Sequence, residues 1–457
     1  MEEDKSSVTP PVLYDVVILG ASGFTGKYVI RECLKFLNTT PSFKSMAIAG
    51  RSSSKLTTAL EWAARPGTPP ASISIITADV HDSASLVSLC AKTRLLLNCV
   101  GPFRLYGAPV VAACVQTGTD YLDISGEPEF MERMELEYHG KAVDSGSLVV
   151  SACGFDSVPA ELGLMFNARQ WIGPSSPSLM EAYLSLESEK RIVGNFATYE
   201  SAVLGVASVD NLRELRRRRP KRAMPKIPGP YPGKGSLIDY HKDINVWGIK
   251  LPSADTAVVR RTLSILAENP SGLCGLDETT EEATNRSAFW STIKPAHFGV
   301  KTASKSLMCI IRFITIGMFI GSLGKFSVGR WLLLNFPSFF SLGMFRKTGP
   351  SEDEVESASF KMWFVSEGFS NVNQISESSS PKLNAKVITR VTGPEIGYIT
   401  TPITLIQCAL IVLNERNRLP RGGVFPPGIV FGSTDLQERL QQNGLTFDVI
   451  SKVNISR

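Results

Sequence analysis

A chain of 457 residues with 43% apolar and 20% charged residues is long enough to bury two cores and too apolar to be disordered. Its net charge of +5 is too small to argue for nucleic acid, and eight cysteines without a C-x-x-C pair, beside four scattered histidines, give neither a disulfide framework nor a metal cluster. A reducing compartment is therefore expected, and residues 1–11, acidic at the start and without an apolar core, read as a flexible N-terminus rather than a secretory or transit signal.

Residues 16–19 form a short apolar, β-branched run that predicts a buried strand. Gly20, Gly23 and Gly26 follow at intervals of three, and apolar residues at helical spacing occupy 27–34. Strand, glycine turn and helix make a phosphate-binding layout. Gly20 turns the chain, Gly23 lets a pyrophosphate reach bare backbone, and Gly26 seats the helix against the sheet with its free N–H groups toward the anion. The run 45–51 predicts the second strand. At its tip an acid would receive the ribose 2′-OH of NAD, whereas Arg51 followed by Ser52 suits a 2′-phosphate, which favours NADP(H) over NAD(H); the alternative is an exposed basic turn.

A third strand, 74–80, ends at Asp79, which either accepts a hydrogen bond from the adenine amino group or is a solvated strand end. The fourth, 94–103, runs into a Gly-Pro turn beside the glycine loop, so Asn98, Gly101 and Pro102 are candidate cofactor-lining residues. Helices are expected over 84–90 and 109–117, and further strands over 120–127 and 148–154. This alternation argues for a parallel, doubly wound sheet covered on both faces.

The segments ILGASGFTG, AGR, NCVGPF, GTDYLDISGE and CGFDSVPAELG, with GPEIGYITTP and RGGVFPPGIVFGSTDLQERLQQNGLTFDVI near the end, resemble the saccharopine dehydrogenase-like oxidoreductase family. The resemblance is to its short eukaryotic branch and to the related bacterial trans-acting enoyl reductases. It implies an α/β fold with a Rossmann-type doubly wound parallel sheet over 12–175 and an inserted α/β (α+β) substrate and membrane-contact domain over 176–395. A C-terminal segment, 396–457, is implied to return to the Rossmann domain. Carried over residue by residue, it makes Gly20, Ser22, Gly23, Phe24, Thr25 and Gly26 the nucleotide loop, Arg51 the basic strand tip, and Asn98, Val100, Gly101 and Pro102 the strand-four turn. The loop is G-x-x-G-x-x-G, whereas saccharopine-forming enzymes use a G-x-G type, so fold and cofactor transfer better than substrate. Three functions stay open. One is hydride transfer to an enoyl or carbonyl group on an apolar or lipid-linked substrate in lipid or glycolipid metabolism; the others are oxidation of a saccharopine-type secondary amine and a catalytically silent nucleotide-binding adaptor.

In the second half, 180–188 alternates like a strand, and 195–202 opens a helix after Gly194. Tyr199 on that helix is either a proton donor or a packing residue. The Tyr-x-x-x-Lys dyad of short-chain dehydrogenases is missing at Tyr28 and Tyr121, which are followed at that spacing by Glu32 and Ser125, so the catalytic residues stay unassigned. The basic run 213–222 reads as a solvated helix end, an anionic-membrane contact or a nuclear signal. The apolar stretch 307–323 is short for a bilayer span, and Arg312 inside it would cost about 2.5–3.5 kcal/mol at the bilayer centre. Together with 331–345 it predicts a hairpin that dips into one leaflet or a lipid-droplet monolayer, with Lys325 and Arg330 at the headgroups. A buried helix pair and a homodimer interface are the alternatives. The expected location is the cytosolic face of an intracellular membrane or lipid droplet, or else a mitochondrial membrane. Strands over 360–365 and 385–391, flanking a serine-rich loop at 376–380, a helix over 401–414, a helix over 435–440 and a strand over 445–449 close the chain.

Overall fold

Apolar runs buried on both faces require helices above and below them, and the first half of the chain meets that requirement strand by strand. The computed structural model describes residues 12–229, 231, 233, 235–373 and 382–454; the N-terminal residues 1–11 and the serine-rich loop 376–380 lie outside the described residues. Strands β1 (Tyr14–Leu19), β2 (Met46–Gly50), β3 (Ser74–Thr77), β4 (Thr93–Asn98), β5 (Asp120–Asp123) and β6 (Leu148–Val150) alternate with helices. The helices are α1 (Phe24–Phe36), α2 (Ser53–Ala63), α3 (Ser83–Cys90), α4 (Phe103–Thr117), α5 (Pro128–Ser145) and α6 (Val158–Ala168). All of these strands pair in parallel in the order β6-β5-β4-β1-β2-β3, and the order reverses between β1 and β4. That reversal opens the crevice in which such sheets bind ligands.

The remaining strands are β7 (Ser176–Ser188), β8 (Gly194–Asn195), β9 (Ile238–His241), β10 (Val246–Ile249), β11 (His297–Ser304), β12 (Phe345–Arg346), β13 (Ala358–Phe369), β14 (Ala385–Pro394), β15 (Gly423–Phe425) and β16 (Thr446–Asn454). A second, mixed sheet runs β16-β14-β13-β7-β11-β10-β9, with β7 and β11 parallel and the other neighbours antiparallel. One continuous core joins the two sheets, from Val16 and Leu97 through Leu162 and Leu405 to Met180 and Phe364. The Rossmann-type sheet with a second α/β layer is therefore the observed architecture.

The C-terminal segment divides between the sheets. β15 pairs with β6 and makes the first sheet seven-stranded, and the helix Thr401–Glu415 packs on α1. In contrast to the expected return of all of 396–457 to the Rossmann domain, β16 joins β14 of the second sheet, where Asp448 pairs with Arg390 at 3.0 Å and Thr446 bonds Thr392 at 2.8 Å. Among the described residues one helical stretch, Ile396–Arg418, is long and apolar enough to cross a bilayer, but 83% of its apolar window is buried in the fold. It is a core helix.

Two charge-bearing stretches differ from their sequence expectation. The basic run lies on and after the helix Val209–Arg218 and is largely paired: Arg219 reaches the buried Glu132 at 3.2 Å, Arg216 reaches it at 3.0 Å, and Arg222 meets Glu135 at 3.0 Å. Those guanidiniums fasten the helix to α5 rather than stand free for phosphate. In the apolar hairpin, Arg330 donates to the carbonyls of Gly324 and Lys325, both at 3.1 Å, and Arg312 donates to that of Leu342 at 2.6 Å. These arginines hold the hairpin's turns, while Lys325 is exposed and its side chain has no partner among the described residues.

The hairpin itself comprises helices Leu307–Leu323, Ser327–Asn335 and Pro337–Phe340. Its inner side, with Leu333 and Phe319, packs on Tyr199 and Val203 of the helix Phe196–Ala207. Its outer side leaves Met308, Met318, Phe326, Val328, Trp331 and Phe339 between 59 and 72% exposed. A buried helix pair is excluded within this chain, because an apolar side chain two-thirds open to water has no core to join.

Candidate cofactor site and crevice

At the reversal point the tips of β1, β2 and β4 converge on Gly20. Its φ of +82° is the left-handed conformation that glycine tolerates, and a Cβ there would stand 2.7 Å from Val100 Cγ2 and 3.0 Å from the Cys99 carbonyl carbon. Its N–H donates to Ala49 O at 2.9 Å. A Cβ on Gly26 would collide with Gly20 O, so α1 rests directly on the turn. Gly23 has Gly20 O as the single neighbour near the place of a Cβ, and its other side is open. No side chain caps α1, which leaves its first N–H groups, including those of Thr25 and Gly26, for an outside acceptor. Ser22 is exposed on this loop, 3.7 Å from the position of a Cβ on Gly50.

Arg51 follows β2, is exposed, and has no hydrogen bond or ion pair among the described residues. Next to it Ser52 caps α2, accepting from Lys55 N at 3.5 Å and sharing a proton with Ser54 Oγ at 3.1 Å. A free guanidinium beside a serine-capped helix start suits a phosphate dianion. Asp79 is half-buried and accepts from His81 N at 3.0 Å, so one oxygen is committed to its own turn.

Other predicted positions serve the site indirectly. The Phe24 ring lies 4.7 Å from that of Tyr398 and fills the space beside Gly349, so the side chain binds the glycine loop to the second half of the molecule. Asn98 is fully buried: its Oδ1 accepts from Val100 N at 3.0 Å and its Nδ2 donates to Tyr121 Oη at 3.1 Å. Its side chain shapes the strand-four turn and is spent within the protein. Gly101 is exposed, and Pro102 opens α4. Tyr199 is buried with its ring 5.4 Å from Phe345, and its hydroxyl has no partner among the described residues. Burial pushes that hydroxyl up to about 12. It is a packing residue, and the proton-donor reading fails for want of access.

Two acids that the sequence reading passed over organise the crevice. Asp123, at the end of β5 and fully buried, accepts from Ser125 N and Ala152 N at 2.9 Å each, from Tyr121 Oη at 2.8 Å and from Ser151 Oγ at 2.9 Å. Burial raises its carboxyl to about 6 in spite of these donors. Glu127 accepts from Phe103 N at 2.9 Å, Arg104 N at 3.2 Å, Arg104 Nε at 2.6 Å and Ser201 Oγ at 3.1 Å. It thereby caps α4 immediately after the Gly101–Pro102 turn and ties that turn to the helix Phe196–Ala207. Both acids sit in GTDYLDISGE, a segment whose polarity in a strand otherwise flanked by apolar ones was the available signal.

Residues 16–150 match the family model described as the saccharopine dehydrogenase NADP binding domain. The chain is 62% identical over 446 residues to a probable mitochondrial saccharopine dehydrogenase-like oxidoreductase of Arabidopsis thaliana, covering 97% of this chain and 98% of the relative. It is 36% identical over 450 residues, 97% and 98% of the two chains, to the saccharopine dehydrogenase-like oxidoreductase of Homo sapiens. A lipid droplet localized protein of Caenorhabditis elegans is 30% identical over 452 residues, 97% and 99% of the two chains.

Proposed function

Because the chain belongs to the saccharopine dehydrogenase-like oxidoreductases, we propose that it moves hydride between NADP(H) and an enoyl or carbonyl group on an apolar or lipid-linked substrate. The family makes it an NAD(P)-dependent oxidoreductase; the choice of NADP(H) and of the substrate class is our reading. When bound, the nicotinamide supplies the hydride, and the chain supplies position. The open N-terminus of α1, with Gly20, Ser22, Gly23, Thr25 and Gly26, would hold the pyrophosphate, and Arg51 with Ser52 the 2′-phosphate. Val100, Gly101 and Pro102 would border the path toward the ring, and Phe24 and Asn98 would keep loop and turn in place. The observation that carries the cofactor reading is Arg51, exposed at the tip of β2 and without a partner among the described residues.

The apolar substrate reading is supported by the exposed face of residues 307–342, one helix away from the strand-four turn. That face is suited to a lipid monolayer at the cytosolic side of a membrane or droplet, a setting in keeping with the name of the nematode relative. Fluorescence titration of the purified chain with NADPH and NADH tests the cofactor reading. Tighter binding of NADPH by at least about tenfold is expected, since hydrogen bonds between charged groups contribute about 1.5–3 kcal/mol. Equal affinities would show that Arg51 does not read a 2′-phosphate.

A further inference from the structure

Between residues 151 and 165, from the end of β6 into α6, every position is buried except Asp156. The loop has little freedom to present it elsewhere. On one side Cys153 N donates to Asp123 O at 2.7 Å and Ala152 N to Asp123 Oδ1 at 2.9 Å, which holds Ala152, a residue with a Cβ, at a φ of +68°. On the other side Phe155 N donates to Thr401 Oγ1 at 3.1 Å, and a Cβ on Gly154 would stand 3.0 Å from Thr401 Cγ2. The Asp156 carboxylate lies over Gly126, where a Cβ would collide with its Oδ2. The next residue, Glu127, caps α4 beside the Gly101–Pro102 turn. Asp156 is thus placed at the carboxyl ends of β5 and β6, on the β4 side of the reversal point, and its side chain has no partner among the described residues. Backbone bonds on both sides fix a carboxylate that no described residue engages.

We infer that Asp156 is the proton-exchanging group of the reaction, an inference that rests on NADP(H) occupying the glycine loop. When bound, the reduced nicotinamide would supply a hydride to one end of the acceptor double bond and be oxidised in doing so. The Asp156 carboxyl would give its proton to the electron pair released at the other end, completing the gain of two hydrogens, and its carboxylate would recover a proton from solvent, to which it is open.

The surroundings favour this use. The buried residues packed on either side of Asp156 cost its carboxylate part of its hydration and raise the carboxyl above the ordinary value, so the acid form persists nearer neutrality. The charged groups about it are acids. Asp255, in the first turn of the helix Ala254–Glu268, is buried, accepts from Ser253 Oγ at 2.8 Å, and is itself raised well above the ordinary value by burial and then by the charge of Asp156. Behind it Glu161 accepts from Gly428 N at 2.5 Å and from Thr262 Oγ1. Glu127, next to Gly126, is neutralised by Arg104.

The test needs no substrate. The oxidised nicotinamide ring is cationic and the reduced ring neutral, so an ionised Asp156 near it favours NADP+. Titrating the full chain with NADP+ and NADPH between pH 5 and 8 should show the ratio of NADPH to NADP+ dissociation constants rising by about three- to tenfold toward high pH, as expected for one nearby charge. Asp156→Asn should flatten that profile and Asp156→Glu should retain it. A wild-type profile persisting in Asp156→Asn would overturn the inference and leave the cofactor reading intact. Failure of the unmodified chain to bind either nucleotide would overturn both.

Discussion

The crevice and the apolar hairpin both leave side chains unpartnered among the described residues, and they do so in opposite ways. In the crevice exposure is sparse and directional: one guanidinium at Arg51 and one carboxylate at Asp156, the latter fixed by buried hydrogen bonds through Asp123 and Thr401. On the hairpin exposure is broad and undirected, with Trp331, Phe339, Met318 and their neighbours turned outward and the arginines absorbed by backbone carbonyls. The first arrangement would select among ligands by position and charge. The second would adsorb to a surface by area, about 25 cal/mol for each Å² removed from water. On that proposal, one chain separates what is chosen from where it is found.

The comparison breaks most severely if Asp123 is not the anchor of the crevice. Asp123→Ala would leave the Tyr121 and Ser151 hydroxyls and the N–H groups of Ser125 and Ala152 without their acceptor, and a loss of about 3–5 kcal/mol in urea unfolding is expected. Since the Asp123 carboxyl is raised to about 6 in the fold, the unfolded chain ionises first. Its contribution to stability is therefore present below the ordinary value of about 4 and is lost as pH rises toward 6. Asp123→Asn should remove that slope from plots of unfolding free energy against pH.

A smaller effect, on ligand rather than fold, is expected from Arg51→Asp. NADPH binding should weaken by about ten- to a hundredfold while NADH binding changes little, measured by fluorescence titration. The thermal midpoint should hold, because Arg51 bonds to nothing described within the protein.

The smallest effect on the folded molecule, and the clearest on the other region, is expected from Met318→Glu combined with Trp331→Glu. These side chains are exposed, so unfolding free energy should move by no more than about 0.5 kcal/mol and NADPH affinity should be unchanged. Flotation with phospholipid-coated triolein droplets should fail, because two charges would have to enter the apolar boundary. Retained flotation would move lipid contact elsewhere. A wild-type dimer that dissociates in the double variant, with no flotation of either protein, would assign the face to a second copy of the chain.

How much of this was legible in the sequence follows from range. The strands of the first sheet, the glycine turn and α1 depend on residues adjacent in the chain, so β1 begins within two residues of its apolar run and Gly20 turns as its position demands. The start of α4 does not: a helix expected from residue 109 begins at Phe103, because Glu127, 24 residues on, caps it. The destination of β16 depends on Arg390 and Thr392, more than fifty residues away. Asn98 was correctly placed at a strand tip, but its commitment to Val100 and Tyr121 is a three-dimensional fact. The exposed side of the hairpin was legible as hydrophobic excess and Tyr199 as one aromatic on a helix, while the direction each faces required the fold.

The helix Phe196–Ala207 turns Tyr199 and Val203 toward the oily hairpin and Ser201 toward the carboxylate that begins α4. Its thickness, about 10 Å, is all that parts a greasy exterior from the turn where chemistry would occur. Should the hairpin dock on a surface, a tilt of this partition would reach the turn through the Ser201 hydroxyl on Glu127 and through Gly205, which lies against Arg104.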